Sequence, residues 1–169
     1  MKLFHGTSLG FGEEILKTGL IKKNQPTYDN VTDSNFVYLT DRITCAMKYG
    51  HKKASSPETY GQDFYIFEVE INDDDLQVDL DEIDIFKEVQ GNKGDNIRKL
   101  NGEYTVGNTT PIIHSVRVNH DIEIKKAAGK YAKVPSAGIV DTYREDIRRY
   151  NLTSEELANI YNSLVWKNC

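Results

Sequence analysis

Hydrophobic and polar positions follow the pattern of β-strands most clearly in the middle of the chain. Residues 64–71 read FYIFEVEI, a run of aromatic and β-branched side chains with near alternation, which is typical of a strand. Residues 36–39 read FVYL and also favour a strand. The opening residues 1–4 predict another strand, which is expected to end at the segment His5-Gly6-Thr7-Ser8.

Helical spacing separates these strands. Residues 11–18 place apolar side chains on one face, and the following Gly19-Leu20 is a typical stop signal for a helix. Residues 41–48 predict a second helix that ends at Gly50, and residues 81–90 predict a third. Short helices are therefore expected between the strands.

Polar and glycine-rich stretches predict loops at residues 22–35, 51–61 and 91–102. After the last of these, residues 103–106 and 112–118 predict two strands joined by a turn at Gly107-Asn108. This segment is expected to form a hairpin.

The chain changes to helical spacing near its C-terminus. Apolar residues recur at helical intervals over 139–150, and Thr153-Ser154-Glu155-Glu156 has the pattern of a capping box before an apolar stripe. Strands in the middle, helices between them and a C-terminal helical pair predict an α+β fold. We expect residues 1–134 to form one domain and residues 135–169 to form a helical extension packed on it.

Composition and charge restrict the class of protein. The 169 residues are 38% hydrophobic and 28% charged, which predicts one soluble globular domain. A formal net charge of −5 disfavours a protein whose main function is to bind a nucleic-acid backbone. Two cysteines and the lack of a membrane-length apolar run predict a cytoplasmic protein without disulfides or a membrane partner.

Three separated segments carry candidate chemistry. They are His5-Gly6-Thr7 after the opening strand, Tyr38 and Tyr49 on either side of a short helix, and Glu103 at the start of a later strand. Each residue alone has an ordinary interpretation, as turn chemistry, core aromatic or solvated charge. Their order and placement at strand and helix junctions favour a site. The histidines and cysteines lack metal-ligand spacing, so no metal site is predicted.

These three motifs, in this order, resemble the His–Tyr–Glu branch of the ADP-ribosyltransferase superfamily, which includes diphtheria-toxin-like enzymes and poly(ADP-ribose) polymerase catalytic domains. The resemblance covers residues 3–118 and leaves the C-terminal helices outside. It implies split mixed or antiparallel sheets with short flanking helices. It also implies an NAD-dependent mono-ADP-ribosyltransferase, with NAD as co-substrate, of the kind found among toxins and phage effectors.

The resemblance implies a role for each motif residue. Glu103 would stabilise the positive charge that develops on the ribose, with His5 and Tyr38 as the other catalytic residues. Nicotinamide would lie between two tyrosine rings and against a glycine backbone, and a histidine and a threonine would bond the adenosine-side ribose. The expected NAD-binding residues are His5, Gly6, Thr7, Tyr38, Ala46 and Tyr49.

Two positions depart from the family pattern. Ala46 stands where polymerase-like members carry a serine that bonds the carboxamide. Asn101, two residues before Glu103, stands where arginine-modifying members carry Glu or Gln, so arginine is the less expected acceptor.

The expected acceptor is a protein, and two alternatives stay open. ADP-ribosylation of DNA or RNA has support only from a local basic cluster, made of Lys125, Lys126, Lys130 and Lys133. A non-catalytic module that binds NAD or ADP-ribose is the other alternative, because a fold does not guarantee activity.

Overall fold

The computed structural model describes residues 1–23, 32–54, 62–135 and 152–169. Its strands are β1 (Lys2–Ser8), β2 (Leu20–Ile21), β3 (Val37–Leu39), β4 (Phe64–Glu70), β5 (Gln77–Val78), β6 (Val116–Val118), β7 (Ile122–Glu123), β8 (Lys130–Val134) and β9 (Lys167–Asn168). Its helices are α1 (Leu9–Thr18), α2 (Ile43–Ala54), α3 (Leu80–Glu88), α4 (Asn92–Lys99), α5 (Val106–Ile113) and α6 (Ser154–Ser163). This mixture of helices and antiparallel sheets confirms the predicted α+β class.

Two sheets form the centre of the structure. One has the strand order β1-β4-β8-β9 and the other has the order β3-β6-β5, while β2 and β7 form a separate pair. All of these strand pairs are antiparallel. In the described part of the chain, backbone pairing between β1 and the β3 segment is limited to the bridge between Phe4 and Thr40, the residue after β3. The two sheets therefore separate just beyond that bridge.

Strand β4 is buried on both faces and divides the main core in two. Tyr65, Phe67 and Val69 pack in one cluster with residues of β1, β3, β6 and α1. Phe64 and Ile66 point to the opposite face, against α2 and α6. Side-chain alternation along a strand explains both clusters, and burial on both faces explains why five of its seven residues are apolar or aromatic.

Helix α2 continues past Gly50 to Ala54, so the predicted stop at this glycine is wrong. A Cβ atom on Gly50 would lie 2.5 Å from the Phe64 ring. The glycine therefore allows close packing of α2 on β4. Gly19 does end α1 as predicted, with φ of 75° and its N–H bonded to the Ile15 carbonyl.

The stretch predicted as a loop at residues 91–102 contains α4. Gly94 lies in this helix, where an added Cβ would meet the Val89 carbonyl oxygen at 1.9 Å. Helices α3, α4 and α5 share a small core of Ile83, Phe86, Ile97 and Ile113. Gly94, like Gly50, allows close packing of a helix. From sequence alone, such a glycine cannot be distinguished from a glycine in a loop.

The predicted hairpin over residues 103–118 is also wrong. Thr105 and Asn108 form a capping box that starts α5, so the predicted turn lies inside a helix. Only Val116–Val118 forms a strand in this segment. Glu103 therefore lies in the connection between α4 and α5, and not at the start of a strand.

The C-terminal segment packs on the first sheet. The predicted capping box is present at the start of α6, where the Thr153 side chain accepts a hydrogen bond from the Glu156 N–H. Trp166 stacks on Tyr161 with ring centroids 4.8 Å apart, and β9 pairs with β8. The other predicted helix, over 139–150, falls outside the described residues. Among the helices that the structure describes, none is long and apolar enough to span a bilayer.

Candidate functional site

The His5-Gly6-Thr7 motif lies inside β1, and not in a turn after it. Phe4 exchanges two backbone hydrogen bonds with Thr40, at 2.8 and 2.9 Å. Because backbone groups alternate between the two edges of an antiparallel strand, the N–H and C=O of Gly6 face the same edge as those of Phe4. Within the described ranges, neither group of Gly6 has a hydrogen-bond partner. A backbone donor and acceptor therefore face the gap where the sheets separate.

His5 spans this gap. Its Nδ1 lies 3.0 Å from the Tyr38 carbonyl oxygen, and since a carbonyl can only accept, Nδ1 carries the proton. Burial lowers the pKa of His5, while the hydrogen bond to Tyr38 acts in the opposite direction. The imidazole is therefore neutral at pH 7, and its Nε2 is an acceptor.

Helix α2 brings two more of the predicted residues to β1. A Cβ atom on Gly6 would lie 1.8 Å from the Ala46 carbonyl oxygen, so the helix lies directly on the strand at this point. Ala46 is buried in that contact. Tyr49 follows three residues later and shares the same side of the helix. Thr7 is buried next to Gly6 in β1.

The two tyrosines both contact the first turn of α3. The Tyr38 hydroxyl donates to the Asp81 carboxylate and accepts from the Asp33 N–H at 2.7 Å. The Tyr49 hydroxyl donates to Glu82 Oε2 at 3.4 Å. Burial and the adjacent Asp81 raise the pKa of Tyr38, so its phenol keeps its proton and remains a donor.

A buried carboxylate fixes the first turn of α3. Asp79 is the N-cap, and its side chain accepts from the Glu82 N–H at 3.0 Å and from the Ser115 hydroxyl. Burial raises the pKa of Asp79, and these two hydrogen bonds oppose that effect. The turn is thus held against the residue that precedes β6.

Arg117 adds a nearly buried cation beside the tyrosines. It lies opposite Tyr38 in the register of β3 and β6. Its guanidinium lies 3.8 Å from the centre of the Phe36 ring and 3.4 Å from Asp81. Arg117 therefore offsets the charge of one carboxylate in this cluster.

The Glu103 side chain makes no polar contact with this group in the described residues. The Glu103 N–H donates to the Leu100 carbonyl at 2.9 Å, and its carbonyl accepts from the Asn108 side chain at 2.8 Å. The residue is exposed, and its carboxylate has neither a hydrogen bond nor an ion pair with any residue that the structure describes. The structure thus links the first two motifs through polar contacts and packing, and shows no such contact for the third. The catalytic role of Glu103 stays a prediction.

Sequence reasoning did not identify the polar partners of the tyrosines. No functional role was predicted for Asp79, Asp81, Glu82 or Arg117. One local feature could have indicated this cluster. Asp79 stands just before the predicted helix, and Asp is a preferred N-cap residue. The contacts to Tyr38 and Tyr49 span more than 30 residues, and local patterns do not reveal them.

No protein-family model and no curated protein matches this chain. In the described residues, no group of three or more His, Cys, Asp or Glu side chains is arranged to hold a metal ion.

Proposed function

We propose that the chain is an NAD-dependent mono-ADP-ribosyltransferase that modifies a macromolecular acceptor and releases nicotinamide. The observation that carries this proposal is the opening between β1 and β3. A Gly6 backbone donor and acceptor, a neutral His5 imidazole and the helix that carries Tyr49 meet there. The pair of backbone groups suits a carboxamide, which also has one acceptor and one donor group.

The charge of the cluster supports the same reaction. Asp79, Asp81 and Glu82 lie around two phenols, with Arg117 as the cation that contacts Asp81. The nicotinamide ring of NAD is cationic, and the ribose becomes cationic when the bond between its C1 and the ring nitrogen breaks. Carboxylates placed near that charge favour both states.

In the proposed reaction the bonding electrons leave with nicotinamide, which becomes neutral. A nucleophile of the acceptor then bonds to ribose C1 and gives its proton to water or to a nearby base. His5 Nε2 would accept a hydrogen bond from a ribose hydroxyl, as a neutral imidazole does. The expected site residues are His5, Gly6, Thr7, Tyr38, Ala46 and Tyr49.

A protein acceptor is favoured over a nucleic acid. Three lysines of the basic cluster lie near carboxylates: Lys126 at 2.9 Å from Glu123, Lys130 at 3.9 Å from Glu68, and Lys133 at 3.8 Å from Asp63. These pairs reduce the positive potential available to phosphates. Together with the net charge of −5, this weakens the support for DNA or RNA as acceptor.

The test is nicotinamide release from NAD by the purified protein, with protein and oligonucleotide acceptors in separate reactions. We expect His5→Ala to lower kcat/KM by about tenfold or more, since it removes a hydrogen bond and its fixed geometry. The exposed His120 provides the matched control, and His120→Ala should leave kcat/KM unchanged.

Each alternative has its own result in this experiment. Transfer of ADP-ribose from labelled NAD to oligonucleotides, and not to proteins, would favour a nucleic-acid acceptor. NAD binding without nicotinamide release, under every acceptor tried, would favour the non-catalytic module. A protein that neither binds nor cleaves NAD contradicts the proposal.

A further inference from the structure

We infer that Glu82, at the start of α3, supplies the carboxylate that stabilises the ribose cation, in place of Glu103. This inference rests on the proposed function. It assigns a catalytic role to a residue in the first turn of a helix that lies next to both tyrosines.

Position is the first argument. Glu82 Oε2 lies 3.4 Å from the Tyr49 hydroxyl, and Tyr49 belongs to the helix that packs on Gly6. The carboxylate of Glu103 is exposed on the connection between α4 and α5 and makes no polar contact in the described part of the chain. Of these two glutamates, Glu82 is the one whose carboxylate contacts a residue of the helix that packs on Gly6.

The second argument separates Glu82 from its neighbour Asp81. Asp81 Oδ2 accepts from the Tyr38 hydroxyl, from the Asp33 N–H at 3.1 Å and from Arg117 at 3.4 Å. These donors fix Asp81 and offset its charge, so its role is to position Tyr38. The partly buried Glu82 carboxylate lies instead on the Tyr49 side of the cluster.

The third argument is that hydrogen bonds fix the backbone of Glu82. Its N–H donates to Asp79 at 3.0 Å, and Asp79 in turn accepts from Ser115, just before β6. A carboxylate stabilises a developing charge best when its backbone is fixed before the reaction begins. Asp79 is buried and provides such a support.

A purely structural role for Glu82 is the competing interpretation. Acidic residues in a first helical turn interact favourably with the helix dipole. Such a role would change the stability of the protein, but not the rate of nicotinamide release by the folded enzyme.

The experiment compares Glu82→Gln, Glu82→Asp, Glu103→Gln and Glu88→Gln. Glu88 is exposed at the other end of α3 and serves as the matched control. We expect Glu82→Gln to lower kcat by about 100-fold or more, as the loss of a charge-stabilising group typically does. The Kd for NAD should change less than threefold. Glu82→Asp should recover part of kcat. The kcat of Glu103→Gln and that of Glu88→Gln should each stay within twofold of the parent value.

Other results would overturn the inference. A large loss of kcat in Glu103→Gln with a normal Glu82→Gln shows that Glu103 is the catalytic carboxylate, and the proposed function then stands. A loss in Glu82→Gln that is matched by a weaker Kd, or by partial unfolding in circular dichroism, shows a structural role. A parent protein that releases no nicotinamide overturns the proposed function and this inference with it.

Discussion

His5 connects the two sheets through a side chain at the point where backbone pairing stops. Its Nδ1 proton is committed to the Tyr38 carbonyl, and its pKa lies below the ordinary value because the ring is buried. Sequence reasoning selected both His5 and Tyr38, because the order of the three motifs resembles a known family. It did not select Asp81, because the contact between Asp81 and Tyr38 joins residues 43 positions apart.

Acidification should destabilise the fold through His5. Its folded pKa lies below its unfolded value of 6.5, so stability is fully present above pH 6.5. As pH falls below 6.5, the unfolded chain takes up a proton that the folded chain resists, and the free energy of unfolding decreases until the folded pKa is reached. Between pH 7.5 and pH 5.5, the free energy of unfolding measured by urea denaturation should therefore fall more for the parent than for His5→Gln. Equal losses in the two proteins would contradict a lowered pKa of His5.

At the scale of elements, β4 and α1 were predictable because each has a local pattern with a clear boundary. The helix stop predicted at Gly50 and the loop predicted around Gly94 are wrong, because these glycines allow close packing against Phe64 and the Val89 carbonyl. Helix α5 was missed because Thr105 and Asn108 are ordinary turn residues unless the capping box is recognised. Packing overrode local propensity at the two glycines, whereas α5 was missed because a local signal was misinterpreted.

Gly6→Ala tests the contact between β1 and α2. The added methyl group would lie 1.8 Å from the Ala46 carbonyl oxygen, which belongs to the helix backbone and cannot rotate away. We expect a loss of about 1–3 kcal/mol in the free energy of unfolding, measured by urea denaturation. Gly10→Ala is the control, because a Cβ there meets nothing within 4 Å and Ala favours a helix. Equal stability of the two variants would show that α2 does not lie this close to β1.

At the scale of the whole molecule, the α+β class followed from the sequence, but the strand order did not. Phe4 pairs with Thr40, Gly6 pairs with Ile66, and β9 adds to β8 at the far edge. These pairings join distant parts of the chain, so they depend on packing that no short window contains. Trp166 and Tyr161 then cover Phe4 from the C-terminal segment. The candidate site is therefore a product of topology as much as of motifs.

The separation of the sheets beyond the Phe4–Thr40 bridge has a consequence for hydrogen–deuterium exchange. The amide hydrogens of His5 and Thr7 point toward β4, whereas that of Gly6 points into the opening. Gly6 should therefore exchange quickly between two slowly exchanging neighbours, in a strand that is otherwise protected. A bound carboxamide would slow exchange at Gly6 alone, which makes this amide a reporter of occupancy that needs neither turnover nor a known acceptor.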